Sequence, residues 1–434
     1  MQFVSTRGEQ QPVGLSTALR RGLAPDGGLY VPQEWPATPV SALRADPALA
    51  ALAAKFLAPF AAGDALEAAL PEITAEAFNF PAPLVALEDE RLGVLELFHG
   101  PTAAFKDFGA RFLAAAFTQL RQGATQSLQI LVATSGDTGG AVAAAFHRRT
   151  GIEVAVLFPL GQVSPTQQQQ LSCWGGNVRT LGVRGSFDDC QRLVKQAFVD
   201  AALRERWELS SANSINLGRL LPQAVYYLAT SLALREQWGE PASFVIPSGN
   251  LGNATACVWA QRLGAPIAQI VLAHNANRTV PDYLAEGVLR PRPSIATLAS
   301  AMDVGNPSNL ERLSALYPGA ARLGAVVSAV SVDDDAIRAR IRADYERYGV
   351  IWCPHTATAA EAWARLSAAQ RGPGPWVLVA TADPAKFREI VEPLVGRPVP
   401  VPESLDRLFR LPARFLEIDA TLDALRAALA GSAP

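Results

Sequence analysis

The sequence predicts an α/β fold built on parallel sheets, preceded by a mostly helical N-terminal region. Three observations carry this. From about residue 94 onward, short apolar, β-branched runs recur, each followed by helical periodicity, which is the alternation of β-α units. Glycine- or hydroxyl-rich loops join three of those runs to the next helix, at the end of the strands where open α/β sheets bind ligands. The chain of 434 residues also exceeds what one simple core accommodates, so two or three domains are expected.

Residues 1–90 are rich in alanine, leucine and proline and read as helical, with a turn at Pro25-Asp26-Gly27-Gly28. LQILVA (128–133) reads as a strand, TSGDTGG as a loop and AVAAAFHRR as a helix. VAVLFP (154–159) is a second strand, with a polar helix around SPTQQQQL behind it. VRTLGV (178–183) precedes the amphipathic helix FDDCQRLVKQAFVD. SFVIP (243–247) leads through SGNLGNAT into a helix reaching Ala260, and WVLVA (376–380) leads through TADPAKF into a helix toward Leu394. The tail after about Pro398 is proline-punctuated and then helical, the pattern of packing material. The expected domains are 1–90, then 91–125 with 216–434 as a large unit, and 126–215 as a small one.

A hydrophobic share of 49% with 18% charged residues fits a globular enzyme. With a net charge of −2 and scattered cations, no basic stripe suited to nucleic acid forms. The start, MQFVSTRGEQQPVGLS, lacks a signal-peptide pattern, and no apolar run approaches the roughly 18–20 residues of a membrane span. Cys173, Cys190, Cys257 and Cys353 are widely spaced with no C-x-x-C pair, which suits a reducing cytoplasm rather than a disulfide or zinc scaffold. No H-x-x-H or carboxylate cluster suggests a metal. Nearly all cations are arginine. Chemistry that needs a titratable amine must choose among Lys55, Lys106, Lys195 and Lys386.

Of these, Lys106 stands out in HGPTAAFKDF, between Phe105 and Phe108 and at the start of the helix GARFLAAAF. An ordinary solvated lysine there would oppose the helix dipole. An apolar site near positive dipole ends instead lowers an amine's pKa toward that of a nucleophile, as a Schiff base with an aldehyde cofactor needs. In PSGNLGN, Gly249, Asn250, Leu251, Gly252 and Asn253 can curl backbone amides around a phosphate. The spacing matches neither a Walker A loop nor a dinucleotide fingerprint, and a compact loop without a cation suits a terminal phosphate monoester. Ser135, Gly136, Asp137, Thr138 and Gly139 form a second anion cradle, read as the holder of a substrate carboxylate. Ser211, Asn213, Ser214 and Asn216 offer short polar side chains that suit either a site or a capped loop. Asp333-Asp334-Asp335 precedes a helix and reads as an N-terminal cap.

FHGPTAAFKDFGARF, ATSGDTG, SANSIN, IPSGNLGN, AMDVGNPSN and TADPAKF, with STRG and APDGGLYVP before them, together resemble the successive signature segments of threonine synthases. The resemblance covers essentially the whole chain. It implies a fold type II pyridoxal-phosphate enzyme with two parallel-sheet α/β domains, the fold of the tryptophan-synthase β-subunit. It implies pyridoxal 5'-phosphate on Lys106, its phosphate at 249–253, and Thr381 facing the pyridine nitrogen. The implied reaction is O-phospho-L-homoserine plus water to L-threonine plus phosphate, with the 135–139 and 211–216 segments binding substrate. This small molecule is the expected partner, with neither nucleic acid nor membrane. Two departures from the family pattern stand out: Asp383 replaces a common histidine in TADPAKF, and Leu251 replaces a frequent phenylalanine. A phospholyase releasing a keto acid, and a cofactor-binding protein without catalysis, are the alternative readings.

Overall fold

The computed structural model describes residues 1–8, 11–37, 43, 48–87, 91–134 and 136–431. Its centre is two sheets. The larger runs Ser328–Ser331, Ile267–His274, Ala242–Pro247, Trp376–Ala380, Leu92–Glu96, Leu84–Ala86, parallel throughout except for the last pair. The smaller runs Leu416–Asp419, Val178–Arg184, Ile152–Pro159, Leu128–Ala133, Glu208–Ser211, and every pair in it is parallel. Parallel strands need covered faces, and the strands comply: every residue of Leu128–Ala133, Ala242–Pro247 and Trp376–Ala380 is buried.

The helix Lys106–Leu120 is the hinge piece of the architecture. It packs against Leu70–Ala77, Asp137–Phe146 and Leu217–Leu220. Phe108, Phe112, Leu113 and Phe117 are buried along it, and each such side chain removed from water contributes roughly 1.5–3 kcal/mol. Phe108 meets Phe78, Phe80 and Tyr226 at ring separations of 5.6, 4.4 and 5.4 Å. Gly109 permits the closest approach, since a Cβ there would stand 2.4 Å from the Arg219 carbonyl oxygen. Because these contacts hold the helix rigidly, its first residue, Lys106, has a fixed position.

The N-terminal region contains the helices Leu15–Arg21, Leu49–Ala61 and Leu70–Ala77. It also contributes an antiparallel pair, Phe3–Ser5 with Tyr30–Pro32, and the strand Leu84–Ala86 of the larger sheet. The expected unit 216–434 needs one correction: Leu416–Asp419 pairs with Val178–Arg184, so the chain returns to the smaller sheet at its end. The helix Leu422–Ala430 then packs on Phe187–Val199. Only Ile418 of that strand is buried, so an edge strand of four residues leaves almost no hydrophobic pattern to read. Asp333 does cap the helix Asp334–Tyr348, accepting from the Ala336 amide at 2.9 Å.

Candidate active site

A cavity of about 230 Å³ is walled by elements of both sheets, and it gathers most of the residues singled out above. Phe105, Lys106, Asp137, Thr138, Asn213, Ser214, Gly249, Asn250, Leu251, Gly252, Asn253 and Thr381 all line it. Gly136, Gly139, Ser211 and Asn216 do not, and their bonds show why. The amides of Gly136 and Gly139 both donate to Thr134 Oγ1 at 3.0 Å, which shapes the loop but consumes the donors. Ser211 Oγ donates to Asn213 Oδ1 at 3.0 Å. Asn216 caps Leu217–Leu220 and ties back to the Leu19 and Ser211 carbonyls. Ser135 lies outside the described residues.

Lys106 is held from both sides. Ala103, in the left-handed region at φ 51°, turns the chain into the helix; for a side chain with a Cβ that strain costs on the order of 1–2 kcal/mol. Ala104 bridges Ala382, and the Asp383 amide donates to the Ala103 carbonyl at 3.1 Å. Burial pushes the Lys106 amine down to about 8, against the pull of Asp137, whose Oδ2 stands 4.0 Å away; Lys386 and Arg219 push in the same direction as burial. The amine also sits 5.5 Å from the Phe105 ring centroid.

The loop after Ala242–Pro247 is built to leave amides free. Leu251 is left-handed at φ 60°, and the helix Gly252–Arg262 starts directly behind it. The Thr255 amide makes the bond to Leu251 O at 2.8 Å, so the amides of Gly252, Asn253 and Ala254 precede the helical ladder, at the helix end that carries partial positive charge. Asn250 serves the scaffold: its Nδ2 donates to Ser214 Oγ at 2.6 Å, and its Oδ1 accepts from the Ser308 amide. Asn253 Oδ1 accepts from the hydroxyls of both Tyr226 and Tyr227, which fixes the amide's orientation and leaves Nδ2 without a partner among the described residues.

Three models of known families match the chain: "Threonine synthase N terminus" over residues 2–78, "Pyridoxal-phosphate dependent enzyme" over 77–382, and "Threonine synthase, C-terminal" over 356–429. The threonine synthase of Haemophilus influenzae is 40% identical, with 99% of both chains covered. The chain belongs to the threonine synthase family. Solved threonine synthases agree in shape: that of Brucella melitensis, described as bound to pyridoxal phosphate, has a TM-score of 0.89 at 35% identity, with 98% of each chain covered. That of Escherichia coli has a TM-score of 0.88 at 35% identity, with 99% of each chain covered.

A threonine synthase is a pyridoxal-phosphate-dependent lyase, and the cavity suits that cofactor. It presents an amine of lowered pKa, the amides of a helix's first turn and Asn253 Nδ2, which has no partner among the described residues, a donor set for an aldehyde and a phosphate. Asp383 stands aside from the cavity. It caps the turn Pro384–Phe387 by accepting from the Ala385 amide at 2.8 Å, so its departure from the family pattern leaves the cavity lining untouched.

Of three charged or polar groups here, the sequence reading gives Lys386 and Arg219 no role and takes His355, in CPHTATA, as able to orient substrate or loops. Lys386 is fully buried, with Nζ 2.9 Å from Asp137 Oδ1 and donating to the Thr102 carbonyl at 2.9 Å. Arg219, in the cavity wall, is pushed down to about 10 by burial, and its Nε has no partner among the described residues. His355 accepts the Ala301 amide at Nε2, 3.1 Å, so its single proton rests on Nδ1; burial holds it near 4 and therefore neutral. The available signals were the scarcity of lysine and a lone arginine inside the apolar run LGRLLPQAV.

Proposed function

We propose that this threonine synthase converts O-phospho-L-homoserine and water to L-threonine and phosphate, with Lys106 as the residue that carries pyridoxal 5'-phosphate. The observation that supports it is the joint presence of Lys106, the 249–253 loop and Thr381 in the lining of one cavity. The amides of Gly252, Asn253 and Ala254, with Asn253 Nδ2, would hold the cofactor's phosphate. Thr381 would face the ring nitrogen with a hydroxyl rather than a carboxylate, which leaves that nitrogen largely unprotonated.

When bound, the cofactor supplies the electron sink that acidifies Cα and then Cβ of the substrate. Lys106 Nζ, near 8, is available as a free amine on a useful fraction of molecules at neutral pH. With substrate and cofactor bound, Nζ would take the Cα proton and later return one. Loss of a Cβ proton would accompany breakage of the Cγ–O bond, so that phosphate leaves with its ester oxygen; Cγ would then gain a proton to become the methyl group, water would add as the hydroxyl at Cβ, and Cα would be reprotonated. Thr138, Asn213 and Ser214 are the cavity-lining polar groups we assign to the substrate. Asp137 contributes its backbone at the helix start, because its carboxylate is turned to two lysines. Gly136, Gly139, Ser211 and Asn216 shape the loops that present these groups. Four unpaired, buried cysteines support placing the reaction in the cytoplasm.

The test is stoichiometry. Cofactor-loaded protein given O-phospho-L-homoserine should release one threonine per phosphate. Phosphate accompanied by 2-oxobutyrate and little threonine would sink the reading in favour of a phospholyase.

A further inference from the structure

Behind the reactive amine lies a buried arrangement of two lysines on one carboxylate. Asp137 is 5% exposed and Lys386 is fully buried. Lys386 Nζ occupies Asp137 Oδ1 at 2.9 Å, and it also donates to the Thr102 carbonyl at 2.9 Å. Thr102 is fixed in turn by Asp107, which accepts from its amide at 2.8 Å and its hydroxyl at 2.6 Å. Lys106 Nζ reaches the remaining oxygen, Asp137 Oδ2, only at 4.0 Å, beyond hydrogen-bond range. Asp383 caps the turn that carries Lys386. The ring therefore closes through three segments remote in sequence, Thr102–Asp107, Asp137 and Asp383–Lys386.

We propose that Lys386 is a positioning residue which occupies Asp137 and so keeps that carboxylate from locking Lys106 in a tight ammonium–carboxylate pair. The inference rests on the reading of Lys106 as the cofactor-bearing amine. The physical argument is competition for one acceptor. In a buried site, a carboxylate without Lys386 would find its nearest cation in Lys106 and close the gap from 4.0 Å to contact. A fully paired ammonium neither attacks an aldehyde nor removes a proton from Cα. With Lys386 in place, one carboxylate serves two ammonium groups, and the short contact goes to the lysine that faces no substrate.

The surrounding charges agree. The groups that face Lys106 are Asp137, Lys386 and Arg219, with neutral His355 beside them. Those that face Asp137 and Lys386 include His355, Cys353, Asp107 and Asp383. Burial raises the thiol of Cys353 and the carboxyls of Asp107 and Asp383, whereas at Asp137 the two lysines outweigh burial and lower the carboxyl.

The arrangement makes two substitutions act in opposite directions on one amine. The measurement is competitive acylation of the full-length, cofactor-free chain with trace acetic anhydride across pH, with the Lys106 peptide quantified by mass spectrometry. It reads the midpoint of Lys106 directly, whichever lysine borohydride later fixes to the cofactor, so its failure is distinct from a failure of the anchor assignment. Lys386→Met should raise the Lys106 midpoint by about one pH unit or more, leaving about tenfold less free amine at neutral pH. Lys386→Arg keeps the charge and should stay within about half a unit of the parent. Asp137→Asn should lower the midpoint, since the attraction goes and the repulsion stays. Cofactor capture near neutral pH should slow about tenfold in Lys386→Met, in step with the amine. A midpoint unchanged or lowered by Lys386→Met would overturn the proposal. Should that variant fail to fold, a midpoint that Asp137→Asn leaves in place or raises would overturn it equally.

Discussion

The backbone amide of Phe105 donates to the carbonyl of Thr381 at 2.9 Å. This bond joins the residue before Lys106 to the residue after the central strand Trp376–Ala380, and the Ala104–Ala382 bridge doubles it. The backbones that carry Lys106 and Thr381 are thereby tied together by main-chain hydrogen bonds. If Thr381 faces the ring nitrogen, Thr381→Asp places a negative charge beside it and raises its proton affinity. The visible spectrum of the loaded enzyme should change and the transamination side product should increase, whereas Thr381→Ser should do neither. A Thr381→Asp spectrum and product ratio equal to the parent's would remove Thr381 from the cofactor's surroundings.

The choice among the lysines is checked by chemistry on the unmodified protein. Borohydride treatment followed by peptide mapping should place the reduced cofactor on Lys106, and Lys106→Ala should abolish the labelling. Lys55→Ala and Lys195→Ala should retain it in full. A label on Lys386 would make the buried ion pair the anchor and reverse the roles assigned to the two lysines.

Two glycines of the 249–253 loop should respond differently to alanine. A Cβ at Gly249 would stand 2.7 Å from Met302 Cα and 3.2 Å from the Ala301 carbonyl, and backbone cannot step aside cheaply. Gly249→Ala should cost about 1–3 kcal/mol in urea unfolding of the cofactor-free protein. At Gly252 the nearest atoms are 3.6 Å away, ordinary contact, so Gly252→Ala should stay within about 0.5 kcal/mol. Equal losses in the two variants would contradict the loop geometry.

Acid should find Asp137. Burial alone would raise its pKa, but Lys386 and then Lys106 outweigh that and hold it well below the ordinary carboxylate value of 3.8. A carboxylate depressed on folding stabilises fully above its unfolded pKa, and that contribution is lost as pH falls toward the folded value. Stability in urea should therefore decline below about pH 4, with Asp137 supplying on the order of 2 kcal/mol of the fall. Asp137→Asn, less stable at neutral pH, should show a shallower decline over the same range. A slope identical to the parent's would remove Asp137 as its source.

Much of this architecture was legible because parallel strands write themselves as apolar runs. LQILVA and WVLVA coincide with Leu128–Ala133 and Trp376–Ala380, and the polar helix behind SPTQQQQL appears as Pro165–Ser172, capped by Ser164. The cavity was legible at Lys106 and the 249–253 loop, where function forces unusual residues into unusual places. What escaped is of two kinds. The strand Leu416–Asp419 buries a single residue, so periodicity carries no signal. The pairing of Lys386 with Asp137 joins residues from two different sheets' connections, and charge complementarity at that separation leaves no local trace. The segment 135–139 reads as an anion cradle with two hydroxyls and several amides, whereas the Thr134 hydroxyl takes the amides of Gly136 and Gly139.

The central claim is that this cavity carries out β-hydration after γ-elimination, and oxygen tracing tests it most directly. Loaded enzyme would be given O-phospho-L-homoserine in water enriched in heavy oxygen, with products resolved by mass spectrometry. Elimination breaks the Cγ–O bond, so phosphate keeps the ester oxygen and takes none from solvent. Hydration at Cβ then places a solvent oxygen in the threonine hydroxyl. The account predicts labelled threonine and unlabelled phosphate in equal amounts. Unlabelled threonine, or phosphate carrying a solvent oxygen from hydrolysis at phosphorus, would contradict it.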